Sequence, residues 1–169
     1  MQATPVITIV NADLNNPQHA AAVVDLLNDY ACDPMGGAEA LSDFCQSNLV
    51  SELKKRQNIH VVLAWVDGVA AGLSICIEGF STFACQPLLN IHDIAVSARF
   101  RGLGIAKKML RHIEQIALSR NCCKITLEVL QGNTPAHALY TAVGFAGYQL
   151  DPALGGAIMM QKKLSDPYK

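Results

Sequence analysis

Lysine and arginine are missing from the first 53 residues of this 169-residue chain. That leading third carries seven acids (Asp13, Asp25, Asp29, Asp33, Glu39, Asp43, Glu52), whereas the remainder carries seven acids and thirteen bases, so a net charge of −1 hides a split of −7 against +6. With no basic residue before Lys54, a secretory signal is not expected, because such signals begin with positive charge. Long apolar runs are missing as well. None approaches the roughly 18 residues of a membrane-spanning helix, so no membrane partner is expected. The near-zero net charge argues against a nucleic-acid binder. Cysteine is present but unpatterned: Cys32, Cys45, Cys76, Cys85, Cys122 and Cys123 form no Cys-x-x-Cys pair, no zinc spacing and no disulfide ladder. They read as buried thiols of a reducing compartment, which points to a cytoplasmic protein. The five histidines and the acids show no metal-ligand spacing, so no metal is expected.

What is present is a core. Hydrophobic residues make up 51% of the chain, enough for one domain covering residues 1–169. Pro5 to Val10 alternates and is β-branched, as a strand does. Asn15-Asn16-Pro17 starts a helix on which Ala20, Val23, Val24, Leu27 and Tyr30 recur at helical spacing. Asp33-Pro34-Met35-Gly36-Gly37 breaks it, and a second helix is expected from Ala38 to Lys55. Ile59 to Val66 and Val69 to Glu78 read as strands joined by an Asp67-Gly68 turn, followed by a strand at Leu88 to Val96. A helix beginning at Arg101-Gly102 carries Ile105, Met109, Ile113 and Ile116 on one face. Lys124 to Leu130 reads as a strand and Thr134 to Val143 as a helix. Phe145 to Leu150 with Ala157 to Lys162 reads as a closing strand pair. This order implies one mixed α/β domain.

The most informative stretch runs from Leu89 to Met109. A buried strand leads into Arg99-Phe100-Arg101-Gly102-Leu103-Gly104-Ile105-Ala106 and then a helix. Free amides converge at such a helix N-terminus, the helix dipole favours an anion, and the two glycines let a pyrophosphate approach the backbone. Lys107 stands where a dinucleotide fingerprint needs Gly or Ala, and no Gly-Lys-Ser/Thr follows, so dinucleotide and nucleoside-triphosphate sites are both weakened. Further on, Asn133 can cap a helix that Pro135 helps to start. Tyr140 lies on the face of Ala136, and Gly144 ends the helix before Phe145. Read alone, Tyr140 is better taken as a packed aromatic with its hydroxyl at the surface.

Together the two segments resemble the GCN5-related N-acetyltransferase (GNAT) superfamily. Arg101-Gly102-Leu103-Gly104-Ile105-Ala106 is similar to its acetyl-CoA signature, Arg/Gln-x-x-Gly-x-Gly/Ala. Asn133, Ala136, Leu139-Tyr140 and Gly144-Phe145 are similar to its second hallmark without a gap. The resemblance implies a twisted, mixed, mostly antiparallel sheet of about seven strands flanked by four helices, with the fourth and fifth strands splayed. It also implies that the pantetheine arm pairs with the backbone from Asp93 to Val96 and that the pyrophosphate lies on the amides from Arg101 to Lys107, Gly102, Leu103, Gly104, Ile105 and Ala106 included. A backbone N–H near Ile94 or Ala95 would polarise the thioester carbonyl. Asn133 would hold the pantetheine or the splay, and Tyr140 would protonate the departing thiolate.

The attacking amine needs a base, and His92 and Asp93 are the candidates; strand alternation sets them on opposite faces. The stretch from Pro87 to Val96 is similar to the diamine and polyamine acetyltransferases, which have an acid in the place of His92. His92 suits a base, and it suits equally a hydrogen-bonded core histidine. In the superfamily the acceptor pocket is walled by two segments, here Asp33 to Gly37 and Gly79 to Phe83. Asp33 would pair an ammonium, Phe80 and Phe83 would cover an apolar stem, and Met35 is counted with them among the substrate-binding residues. The expected protein is a homodimeric, acetyl-CoA-dependent N-acetyltransferase acting directly on a small cationic amine. A protein or peptide amine as acceptor, and a non-catalytic acyl-CoA sensor, remain the alternatives.

Overall fold

Asp67 and Gly68 close a two-residue hairpin with φ of 50° and 80°, both positive as a type I′ turn requires. The hairpin joins β2 (Ile59–Val66) to β3 (Val69–Ser81), and both strands are rich in β-branched and apolar residues. β1 (Ile7–Asn11) flanks β2, while β4 (Gln86–Val96) and β5 (Ile125–Leu127) continue the sheet in the order β1-β2-β3-β4-β5. All neighbours are antiparallel except β4 and β5, which run parallel. The computed structural model describes residues 4–164, and the chain divides after Leu130 into two compact units, each taken by itself below.

Alternation along the strands sorts the core of the first unit. Val61, Leu63, Leu73 and Ile75 pack with Val23 and Leu26 of α1 (Pro17–Cys32) and Leu53 of α2 (Asp43–Lys54). Ala64, Val66 and Ala71 pack with Phe100 and with Ile105 and Met109 of α3 (Ile105–Ser119). α1 starts as its sequence predicts: the Asn16 side chain accepts from the Gln18 amide, and Pro17 fills the first turn. α2 begins later than its expected start at Ala38. Ala38 has a left-handed φ of 57°, and the first usable cap is Ser42, whose hydroxyl accepts from the Cys45 amide at 3.2 Å.

The second unit holds α4 (Thr134–Ala142) and a short 3-10 turn at Pro152–Leu154. The expected closing strands, Phe145 to Leu150 and Ala157 to Lys162, are a correction. They meet through one bridge, Gln149 to Gly156, so the described sheet has five strands where about seven were expected. A lone two-stranded ribbon is marginal, and Asp151-Pro152 and Gly155-Gly156 interrupt this one. The cysteines are a second correction. Only Cys76 is buried; Cys32, Cys85 and Cys123 are exposed, because they fall at a helix end or in turns. Among the described residues, no helix is long and apolar enough to cross a membrane.

Candidate active site

Pairing along β4 changes at one residue. Ile75 faces Asp93 and Cys76 faces Ile91, so His92 is the extra residue of a bulge. β5 pairs only with Leu89, Asn90 and Ile91. From His92 to Val96 the outer edge of β4 therefore carries no strand partner among the described residues, while its inner edge stays paired to β3 from Gly72 to Ile75. A strand with one free edge presents unpaired N–H and C=O groups that an extended ligand can meet. Ile94, Ala95 and Val96 lie on this stretch.

The bulge also corrects the reading of His92 and Asp93 as residues on opposite faces, since regular alternation fails at that point. His92 is exposed, which removes the alternative of a core histidine, and Asp93 is half-buried. Burial raises the Asp93 carboxyl above its ordinary range, partly offset by the positive charge of His92. The buried Ser74 hydroxyl donates to the Asp93 carbonyl at 2.8 Å and pins the bulge to β3.

β4 leads through a 3-10 turn at Ala98–Phe100 to the glycine turn. Gly102 and Gly104 have φ of 83° and 73°, a region other residues enter at a cost, and a Cβ at either would meet nothing within 4 Å. The first hydrogen bond of α3 runs from the Lys108 amide to the Gly104 carbonyl, so the amides of Ile105, Ala106 and Lys107 precede the helix's own ladder. The first turn of α3 contains no acid. Open space, free amides, the helix dipole and Lys107 together fit a pyrophosphate. The Leu103 side chain is exposed above the turn. Arg101 is committed differently: its Nε donates to the Val96 carbonyl at 3.1 Å and its Nη2 lies 2.8 Å from the Asp33 carboxylate.

Asp33, assigned from the sequence to an ammonium, thus pairs with a residue of the donor turn. Its other oxygen accepts from the Met35 amide at 2.9 Å, and the Arg101 hydrogen bond is the main cause of its lowered carboxyl pKa. Met35 is exposed. Phe80 pairs with Pro87, six residues before Asp93, which is about 20 Å of strand. Phe83 lies beyond it in the hairpin turn, 98% exposed, so Phe80 and Phe83 are not brought together with Asp33 and Met35. Two residues that sequence reasoning passed over border this stretch, Tyr30 near Asp93 and Ser97 just past Val96. Tyr30, at the end of α1, has its phenol pKa raised first by burial, then by the charges of Asp93 and Asp33. Ser97, just past β4, donates to Asp29 of α1 at 3.3 Å. The last turn of α1, Asp29-Tyr30, was their available signal.

In the second unit the Asn133 side chain caps α4, accepting from the Ala136 amide at 3.3 Å. Gly144, with φ of 99°, ends the helix. The Phe145 amide returns to the Tyr140 carbonyl at 3.0 Å, and the two rings meet edge-on at 5.8 Å.

Residues 22–145 match the acetyltransferase (GNAT) family, and the chain belongs to that family and has its fold. It is 37% identical to the streptothricin acetyltransferase of Streptomyces lavendulae over 89 residues, 51% of this chain and 47% of that protein, so it spans about half the length of that relative. It is 22% identical over 132 residues to the thialysine N-epsilon-acetyltransferase of Caenorhabditis elegans, 76% of this chain and 78% of that one. Its fold is similar to that of an aminoglycoside N-acetyltransferase solved with CoA, at a TM-score of 0.71 and 17% identity, covering 97% of this chain and 99% of that one.

Proposed function

We propose that this protein is an acetyl-CoA-dependent N-acetyltransferase that moves acetyl directly to the primary amine of a small cationic molecule. The observation that carries the reading is the run from the free edge of β4 at His92 to Val96 into the open Gly102–Gly104 turn before α3. Bound acetyl-CoA would supply the activated thioester. The edge amides of β4 hold the pantetheine arm and polarise the acyl carbonyl, and the amides ahead of Lys108 hold the pyrophosphate. Asp93, with His92 beside it, takes the proton from the attacking ammonium; a buried carboxyl with a raised pKa is a better proton acceptor than an exposed one. Tyr140 gives a proton to the departing thiolate, and Asn133 fixes the chain that carries it.

A cationic acceptor is supported by the acids at the end of α1 and on β4, Asp29 and Asp93, the first of them within the 53-residue stretch that lacks bases. It is supported too by relatives whose names are those of streptothricin, thialysine and aminoglycoside acetyltransferases. The six free thiols favour the cytoplasm, and a homodimer is the assembly we expect. Thiol release from acetyl-CoA against polyamines, aminoglycosides, basic amino acids and basic peptides tests the reading. Release with one small cationic amine is the expected result. Release with peptides alone would move the acceptor to a protein, and CoA binding without release from any acceptor would leave a sensor. Size-exclusion chromatography reads the assembly.

A further inference from the structure

The pairing of Asp33 with Arg101 joins two segments that the sequence assigned to different substrates. Asp33 ends α1 and organises the turn behind it: its carbonyl accepts from the Gly36 and Ala38 amides at 2.8 and 3.1 Å, and its carboxylate accepts from Met35. That turn is stiff. A Cβ on Gly36 would lie 1.9 Å from the Tyr30 carbonyl oxygen, so backbone is packed against backbone. The second carboxylate oxygen reaches out of this turn to Arg101 Nη2, while Arg101 Nε holds the last carbonyl of β4. The guanidinium is therefore fixed at two points, one on the end of the free-edged strand and one on a rigid turn. Its backbone opens the glycine turn that fits the pyrophosphate. The turn runs between the core residues Phe100 and Ile105, and because Gly102 and Gly104 carry no side chain, Arg101 supplies its side-chain tie to α1 and β4.

We propose that Asp33 is a positioning residue for the donor: acting through Arg101, it holds the 101–104 turn in the conformation that binds the pyrophosphate of CoA, and it is not the ligand of the acceptor's ammonium. Arg101 accordingly serves as a strut, and the anion is left to the backbone amides. The inference rests on the donor-site reading above. It makes donor affinity depend on a residue outside the donor loop.

Asp33→Asn separates the strut from the turn, because an asparagine oxygen still accepts from the Met35 amide while the charge facing Arg101 is lost. Isothermal titration with CoA is expected to show roughly three- to five-fold weaker binding by Asp33→Asn, the scale of a partly exposed ion pair. Arg101→Gln should weaken binding similarly, and the double variant should bind no more weakly than the worse single one. In steady-state kinetics the KM for acetyl-CoA rises more than kcat falls. Arg101→Lys, which keeps the charge and cannot hold both partners, serves as the second variant, and melting curves confirm that each is folded. Unchanged CoA affinity in Asp33→Asn, or additive losses in the double variant, overturns the inference. A rise confined to the KM of the amine overturns it too and returns Asp33 to the acceptor. A wild-type protein that binds no CoA overturns the donor-site reading itself and the inference with it.

Discussion

The Ser74 hydroxyl donates to the main-chain carbonyl of Asp93 at 2.8 Å, beside the point where β4 gains the extra residue His92. Ser74 is the one buried polar residue among the described residues, set between the buried Leu73 and Ile75 of β3. Its hydrogen bond ties the Asp93 main chain to β3 beside the bulge that carries both candidate bases.

Replacing Ser74 with Ala removes that bond and leaves the Asp93 carbonyl short of a donor. Stability is expected to fall by about 1–2 kcal/mol, read as a lower urea midpoint at unchanged slope. Turnover should fall further than stability alone explains, because the bulge relaxes. Wild-type turnover in a folded Ser74→Ala protein would mean that the bulge is held by the strands themselves.

Asp93 gives a pH signature with a definite sign. Burial raises its carboxyl pKa in the folded state, so the folded protein binds this proton more tightly than the unfolded chain does. Its contribution to stability is full below the unfolded carboxylate pKa and is lost as pH rises through the folded value. Asp93→Asn should therefore melt higher than wild type at neutral pH, each kcal/mol being worth about 2–4 °C, and the difference should vanish below the carboxylate range. The same variant should lose turnover. A lower melting temperature at neutral pH would show that the Asp93 carboxylate is stabilised by a partner.

Tyr140→Phe tests the acid. Turnover is expected to drop by roughly 10²-fold or more while CoA affinity stays close to wild type. Equal loss of both would make the hydroxyl structural, because the substitution leaves the ring and its edge-on contact with Phe145 in place. Unchanged turnover would mean that water protonates the thiolate.

Two glycines should respond differently to alanine. Gly102→Ala meets open space and costs only the strain of a left-handed φ, about 1 kcal/mol. Gly36→Ala drives a Cβ into the Tyr30 carbonyl and must displace backbone, so a loss of about 2–3 kcal/mol is expected. Thermal denaturation ranks the two. The reverse order would mean that the 33–38 turn yields more easily than the donor turn.

Local rules wrote much of this molecule into its sequence. Asn16-Pro17 set the start of α1, Asp67-Gly68 set the β2–β3 hairpin, Asn133 and Gly144 set the ends of α4, and Gly102 and Gly104 marked the turn before α3. Each depends on bonds within a few residues, and the same locality makes the family legible from two short motifs. What alternation and capping do not encode is pairing between distant segments. Whether α2 began at Ala38 or at Asp43 depended on a backbone angle in the turn, and whether the closing strands formed depended on a partner. The slip at His92 arises from the match between β3 and β4, and it decided how Asp93 is presented. Asp33 and Arg101 are 68 residues apart. Only folding brings that carboxylate to that guanidinium, because the energy of an ion pair follows distance in space, not in sequence.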